Sequence, residues 1–496
     1  VAGRWNHWNT VVVVIMALAT LLRCWGLEIK PPHFDEGING WFADRIAATG
    51  YYAYDPTNFH GPWYFYLVHL SQVLFGRELW ALRLPSILGS LLSVWLLFRF
   101  HPYVGRAGAA FAAAAMAVSP AFVFYGRYSI HESWMVAFNI MALLGLFGLW
   151  RQGHKSSLYL FCAGVTGMIL TKETYVIHIG SLLLAWPCLL LWNRLVPPQP
   201  EPANFRKLWR KPDLAVAIAV SLAAIVAFYS GFGLHWQGLA GLWQTYAAWF
   251  DTGVEPGGHA KTSFDLIGPL NWYWIWLMAR FEWPVLFGLL ACARFLWPSP
   301  TLLRYLAIYA GGLWLAYTVI PYKTPWCLLA FAWPFYLVLG SVLQEAWSHH
   351  VTRRAALLGG LLLLIASVPV TLSLNFQRFA DHSLPYVYVQ TDPGIWQMTR
   401  PLQAAVRRDP GLAHEQAYVL LESYYPLPWM LGNFTRVHYR SEEADWPAEL
   451  DGLFVVIEHD RARAVRDRLR GNYREVRFQL RDGMEDAVVF FREDLP

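Results

Sequence analysis

A chain of 496 residues that is 56% hydrophobic and only 15% charged is not a soluble globular protein, in which roughly a quarter of residues carry charge. Its formal charge of +5 is small and dispersed, which argues against nucleic acid as a partner, and its 27 tryptophans suit the headgroup belts of a membrane. The five cysteines, Cys24, Cys162, Cys188, Cys292 and Cys327, lie in apolar runs without a zinc-type spacing and read as buried thiols.

In chain order, apolar runs near the ~20 residues that cross a bilayer fall at 9–27, 83–100, 106–124, 133–150, 156–170, 174–193, 213–232, 272–297, 303–320, 326–345 and 355–376. They predict a polytopic α-helical membrane protein of about eleven spans. The first run follows only Arg4 and His7 and lacks a small-residue cleavage site, so it reads as an uncleaved span. The run 156–170 is short, and Glu282 and Pro284 interrupt 272–297. The stretches 36–48 and 63–75 are too short to span and read as interfacial helices.

Cations set the orientation. With the N-terminus inside, Arg99, Arg106, Arg151, Lys155, Arg304, Arg353 and Arg354 fall in short cytoplasmic loops. Arg206, Lys207, Arg210 and Lys211, in the Pro-rich loop from Arg194 to Pro212, join them. The opposite loops hold Asp35, Glu36, Asp44, Asp55, Glu132, Glu173, Asp251 and Glu255. This positive-inside pattern predicts a multi-pass protein of the cell inner membrane with a cytoplasmic N-terminus.

Beyond Asn375 the composition turns charged. Short apolar runs (417–421, 453–458, 487–491) alternate with helical candidates at 395–408 and 460–471. The expected organisation is a membrane domain over 1–376 and a small extracytoplasmic α/β domain over 377–496. No internal repeat is evident, which speaks against an inverted-repeat transporter.

The chemistry gathers in the outer loops. Pro31-Pro32-His33-Phe34-Asp35-Glu36-Gly37 ends the first span and leaves two adjacent carboxylates at the membrane surface. Either acid could simply cap the following helix; the functional reading is a general base whose partial desolvation raises its pKa. Farther along the same loop lies Asn58-Phe59-His60-Gly61-Pro62-Trp63. Arg127-Tyr128-Ser129-Ile130-His131-Glu132 opens the fourth span, where ionisable groups call for a partner or a function. The structural alternative is an ion pair between Arg127 and Glu132. Lys172 and Glu173 are pinned in a very short loop, Gly257-Gly258-His259-Ala260-Lys261 lies in a long one, and Pro321-Tyr322-Lys323-Thr324-Pro325-Trp326 joins spans nine and ten. Single lysines at membrane edges usually snorkel to water. Three lysines on the face that holds the acids suit a site that binds a lipid-linked phosphate and activates a hydroxyl.

Together these motifs resemble the GT-C class of polyprenyl-phosphate-dependent glycosyltransferases. Within it they are similar to the protein O-mannosyltransferase and lipid A aminoarabinose transferase superfamily, in particular its flippase-activity-associated prokaryotic branch. The resemblance is carried by Asp35-Glu36-Gly37, His60-Gly61-Pro62, Phe75-Gly76 with Arg83-Leu84-Pro85, Arg127 through Glu132, and Thr171-Lys172-Glu173. It continues through Gly258-His259 with Lys261, Glu282, Pro321 through Trp326, and Tyr425-Pro426-Leu427-Pro428-Trp429. The resemblance implies that Asp35 is the catalytic carboxylate, aided by Glu36 or Glu132. It implies a donor phosphate held by Arg127, Lys172, His259, Lys261, Tyr322 and Lys323. In aminoarabinose transferases a phosphate-contacting Lys follows the position of His60, where this chain has Gly61. Thr262-Ser263-Phe264-Asp265 replaces the usual Pro and aromatics after Lys261, Tyr425 stands where Trp is expected, and Gly432-Asn433 stands for Arg-Asp.

The expected reaction moves a sugar from a polyprenyl-phosphate donor to an acceptor hydroxyl of a protein, lipid or glycan on the outer face. A single displacement inverts the anomeric carbon. His60 and His259 with a carboxylate offer a divalent-metal alternative. The competing function is non-catalytic binding or translocation of lipid-linked sugars. Such a protein should carry charges near the bilayer midplane, but the spans are mostly free of them, Arg23 and Glu282 being exceptions, and charges gather at the outer ends.

Overall fold

The computed structural model describes residues 7–58, 60–200, 209–254, 259–267, 270–481 and 486–495. Arg4, Phe59, Arg206, Lys207, Glu255, Gly257 and Gly258, named above, lie outside them, as does the side chain of Asp251. Compactness divides the chain into two units. The first comprises Val1–Gly26, Tyr51–Leu67 and Arg83–Gln377; the second comprises Leu27–Gly50, Val68–Leu82 and Arg378–Pro496.

The first unit is a helical bundle, and each of the eleven expected spans coincides with helix. Among the described residues, eight helices are long and apolar enough to cross a membrane, or nine if a bent pair counts as one span. The count falls short of eleven for two physical reasons. Helix Lys155–Thr171 has only 17 residues, and the run predicted at 272–297 is broken at Glu282 between Tyr273–Phe281 and Trp283–Ala291. Burial separates the centre from the lipid-facing rim. The most apolar stretch of Pro325–Ser348 is 83% buried, whereas that of Lys211–Tyr229 is 11% buried and exposes Val216, Val220 and Leu222. The Ala-rich helix Arg106–Val118 packs closely on the central one, because a Cβ on Gly108 would stand 2.5 Å from the Gly340 carbonyl oxygen. Small residues permit such backbone approach in lipid.

The bent pair is Arg106–Val118 followed by Pro120–Gly126, at 58°. Pro120 takes the first helical position of the second half, where its missing N–H costs nothing. Two buried charges then satisfy the cut ends. Arg23 donates to the Met116, Ala117 and Phe122 carbonyls and to Ser90 Oγ. Glu282 accepts from Ala121 N at 2.7 Å and Ser119 Oγ at 2.8 Å. A cation at a helix C-terminus and an anion at an N-terminus also complement the macrodipoles.

The second unit contains a five-stranded sheet in the order β2-β1-β3-β5-β4, with β1 Gln416–Val419, β2 Arg436–Tyr439, β3 Phe454–Glu458, β4 Tyr473–Phe478 and β5 Ala487–Arg492. The β1–β2 and β1–β3 pairs are parallel, and β3–β5 and β4–β5 are antiparallel. Leu420, Val455, Ile457, Val465, Val488 and Phe490 share its core with Trp446. Helix Trp396–Arg408 lies where the sequence predicts one, but the candidate at 460–471 shrinks to Ala462–Arg466. Strands β2 and β4 were not foreseen, because Arg436–Tyr439 and Tyr473–Phe478 are largely solvent-accessible and carry no continuous apolar run.

Candidate active site

In the second unit, Pro31 and Pro32 precede helix Phe34–Thr49, whose N-cap is His33. His33 Nε2 lies 2.7 Å from the Tyr388 carbonyl and must donate there, so Nδ1 is the acceptor for Asp35 N–H at 3.1 Å. Burial pushes the His33 ring below its usual 6.5, against the upward pull of Asp35 and the Tyr388 carbonyl. Glu36 closes a capping box by accepting from His33 N–H at 2.9 Å. The two adjacent acids therefore separate. Glu36 is 0% exposed and engaged in the cap, while the Asp35 side chain is 35% exposed, with Oδ2 3.7 Å from His33 Nδ1. Arg481 stacks 4.8 Å from the Phe34 ring and donates to Ser423 Oγ at 2.6 Å. Burial brings its pKa down to about 10, with Asp35 opposing the shift.

The same helix explains the Tyr425-to-Trp429 motif. A Cβ on Gly37 would meet Pro426 at 2.4 Å, and one on Gly40 would meet Trp429 at 2.3 Å. Arg77 clamps Asp44 with Nε at 3.0 Å and Nη2 at 2.7 Å, and stacks on Trp429. Asp44, counted above among the unassigned outer acids, is thus an ion-pair partner.

In the first unit, helix Lys155–Thr171 ends in an extended Lys172, whose backbone bridges to His60. Gly61 N–H donates to the Thr171 carbonyl at 3.1 Å, and a Cβ on Gly61 would lie 2.3 Å from the Leu170 carbonyl oxygen. This contact excludes a lysine at that position. Lys172 Nζ donates to Glu132 Oε1 at 2.5 Å, and His60 Nδ1 donates to Glu173 Oε2 at 3.0 Å. Burial alone would lower the Lys172 pKa, but Glu132 and Glu173 overcome it and hold the ammonium well above its usual range. His131, the N-cap of helix Glu132–Arg151, stacks 4.6 Å from His60. Burial keeps this ring neutral, well below 6.5, and His60 and Lys172 push in the same direction. Glu132, Lys172, Thr174, Tyr317, Trp326 and Cys327 line a cavity of about 20 Å³. That is room for a water, which needs roughly 10–15 Å³, and not for a sugar.

The 321–326 motif is built on a backbone pairing. Ala260 bridges Tyr322, Lys323 N–H donates to the His259 carbonyl at 3.2 Å, and the His259 and Tyr322 rings lie 4.8 Å apart. His259, Lys261, Tyr322 and Lys323 thus share two paired segments. Lys261 is half-buried, which lowers its pKa, and its carbonyl accepts from Asn271 at 2.9 Å.

Two expected phosphate ligands have other occupations. Lys323 Nζ donates to the carbonyls of Tyr317, Thr318 and Ile320, at 3.1, 2.9 and 2.5 Å, closing the C-terminal end of helix Thr301–Val319. All three of its protons are engaged, and burial brings its pKa down to about 8. Arg127 donates to the Leu22, Trp25 and Gly26 carbonyls at and just beyond the end of helix His7–Cys24, and stacks on Phe376. It makes no ion pair with Glu132; Lys172 does. Among the described residues, no group of three or more His, Cys, Asp or Glu side chains could hold a metal ion. His60 and His259 do not fit the metal alternative: one ring faces Glu173 and His131, the other Tyr322.

His33, Arg481 and the His60–Glu173 pair were missed as site components. A histidine cap before Asp35 is legible in hindsight, but nothing in the sequence ties residue 481 to residue 34.

The fold, a multi-pass helical bundle with a small C-terminal sheet domain, is like that of solved ArnT and of an archaeal oligosaccharyltransferase. Residues 59–229, which hold the His60, Glu132, Lys172 and Glu173 cluster, match the family described as dolichyl-phosphate-mannose-protein mannosyltransferase. Among solved structures, ArnT from Cupriavidus metallidurans bound to undecaprenyl phosphate aligns over 98% of this chain and 99% of that one, with a TM-score of 0.62 and 14% identity. Its apo form gives 0.60 and 13%, covering 98% of both chains. The apo oligosaccharyltransferase of Archaeoglobus fulgidus aligns over 92% of this chain and 70% of its own, with a TM-score of 0.55 and 12% identity. No curated protein sequence matches the chain.

Proposed function

We propose that this chain is a glycosyltransferase that moves a sugar from a polyprenyl-phosphate donor to an acceptor hydroxyl at the extracytoplasmic face of the inner membrane, inverting the anomeric carbon. The observation that carries this reading is the end-to-end fold likeness to ArnT, whose structure holds undecaprenyl phosphate. The carboxylate at Asp35 supports it. The Asp35 main-chain N–H is held by a neutral histidine, its carboxylate is about one-third exposed, and Glu36 does the capping in its place.

In this mechanism Asp35 takes the proton from the acceptor hydroxyl as the oxygen attacks the anomeric carbon. The phosphate leaves with the bonding electrons, and cations stabilise its developing charge. With Arg127 and Lys323 engaged on carbonyls, that role passes to Lys172 and Lys261, aided by His259 and Tyr322. Glu132 holds Lys172 in the unliganded state, and an arriving phosphate competes for the ammonium. No step is assigned to a metal.

The outer placement of the catalytic loops rests on the arginines and lysines of the opposite loops. Arg304 leaves that count, since it is buried within helix Thr301–Val319. Arg23 and Glu282 serve the cut ends of a bent helix, which favours sugar transfer over translocation.

The test is transfer by purified protein from an undecaprenyl-phosphate-linked sugar. Asp35→Asn slows turnover by about 10²–10⁴-fold while donor binding persists; full turnover by that variant removes Asp35 as the base.

A further inference from the structure

The first unit has a second cavity that sugar transfer does not use. It has a volume of about 230 Å³ and is lined by Gly105, Arg294, Ser299, Gln344 and Glu345 among others, all of the first unit. One water needs roughly 10–15 Å³, so this space takes a group of many atoms. It opens at the N-terminal end of helix Thr301–Val319, whose far end carries Lys323. At 1.5 Å per residue, its 19 residues put about 28 Å between the two ends.

Three features of this end suit an anion. Ser299 is 1% exposed, and its hydroxyl has no partner among the described residues. Buried hydroxyls in native proteins rarely lack a partner. The helix begins after Pro300 with no side-chain cap, so its first amides and the positive end of its dipole are available. Arg294 donates Nε to Glu345 Oε2 at 2.9 Å, Nη2 to Oε1 at 2.7 Å and Nη1 to the Pro298 carbonyl at 3.2 Å. Of the five N–H groups of a guanidinium, two have no partner among the described residues. One turn into the helix, buried Arg304 donates to Asn193 and to the Val196 and Trp297 carbonyls, with no carboxylate partner among the described residues. Its charge adds to the positive potential.

Glu345 decides what kind of anion enters. Its side chain is 47% exposed, so it repels a bare phosphate yet attracts an ammonium carried on the same molecule. Leu290, Leu296 and Trp297, in the segment leading to Ser299, are exposed and offer apolar surface for acyl chains. We propose that this cavity binds the zwitterionic headgroup of a phospholipid such as phosphatidylethanolamine. The phosphate sits at Ser299, Arg294 and the helix amides, and the ammonium sits at Glu345. The site is separate from the donor site.

Native mass spectrometry of the full chain, released from detergent with added phosphatidylethanolamine, phosphatidylglycerol or inorganic phosphate, tests this without reading sugar transfer. Its outcome is therefore independent of the proposed reaction. Phosphatidylethanolamine is expected to be retained about fivefold more than phosphatidylglycerol, and Ser299→Ala to reduce its retention about fivefold, the equivalent of one hydrogen bond. Glu345→Gln frees Arg294 and erases the preference between the two lipids. Equal retention of both by the unaltered chain overturns the proposal, as does undiminished retention by Ser299→Ala or by the cavity-filling Ser299→Leu. Inorganic phosphate binding as firmly as the lipid overturns the headgroup assignment.

Discussion

Under the proposed function Asp35 is the base while Glu36 caps the helix, and exchanging each for its amide separates the two roles. Glu36→Ala removes a buried carboxylate that accepts from His33 N–H at 2.9 Å in the first turn of a helix. A charge-assisted hydrogen bond contributes about 1.5–3 kcal/mol, and the capping and dipole contribution is part of the same loss. The expected cost is therefore about 2–3 kcal/mol. For a unit of this size that is a fall in Tm of roughly 5–10 °C. Glu36→Gln keeps an acceptor oxygen and costs about half as much. Asp35→Asn removes no cap and leaves the melting transition in place. A lost general base slows the reaction by about 10²–10⁴-fold, equivalent to roughly 3–5 kcal/mol of barrier. The assay pairs thermal unfolding in detergent with turnover of a polyprenyl-phosphate sugar at matched folded fraction. If Glu36→Gln melts normally but is inactive while Asp35→Asn turns over, the division of labour is refuted.

Lys323→Met leaves the carbonyls of Tyr317, Thr318 and Ile320 without a donor and costs about 1–3 kcal/mol, with donor affinity unchanged; equilibrium binding of the lipid donor checks the second half. Gly61→Ala drives a methyl toward the Leu170 carbonyl and destabilises by about 1–3 kcal/mol, seen as a lower Tm. His33 and His131 are held neutral in the folded chain. The unfolded chain binds protons there below about pH 6.5, so stability declines as pH falls through that value. His131→Phe should flatten the slope of Tm between pH 7.5 and 5, and an unchanged slope assigns the acid lability elsewhere. Glu282→Ala strips the N–H acceptor from Ala121 and costs about 3–5 kcal/mol by leaving buried donors unmet, measurable as loss of the folded peak in size-exclusion chromatography after mild heating.

Spans were legible because twenty consecutive apolar residues have few other uses. The C-terminal sheet was legible only where its strands are buried on both faces, as at Phe454–Glu458. The polar loop residues were legible as a set but not as partners. Spacing could not show that Lys172 meets Glu132 forty positions away, or that Lys323 turns back onto the helix it follows. Cations were read as ligands because carbonyls at helix ends are invisible in a sequence. Arg127 and Lys323 both answer to such carbonyls. Gly61 is the opposite case. Its departure from the aminoarabinose pattern was plain, and the reason for it is a backbone 2.3 Å from where a side chain would begin.

The Arg23 guanidinium has a consequence for biogenesis. Its acceptors at Met116, Ala117 and Phe122 lie 93 to 99 residues downstream. At roughly 5–20 residues per second of synthesis, the first helix waits about 5–20 s for them. Until then part of the charge must stay hydrated at the rim of the translocon, so the first span takes its final depth only when the bent pair Arg106–Val118 and Pro120–Gly126 has arrived.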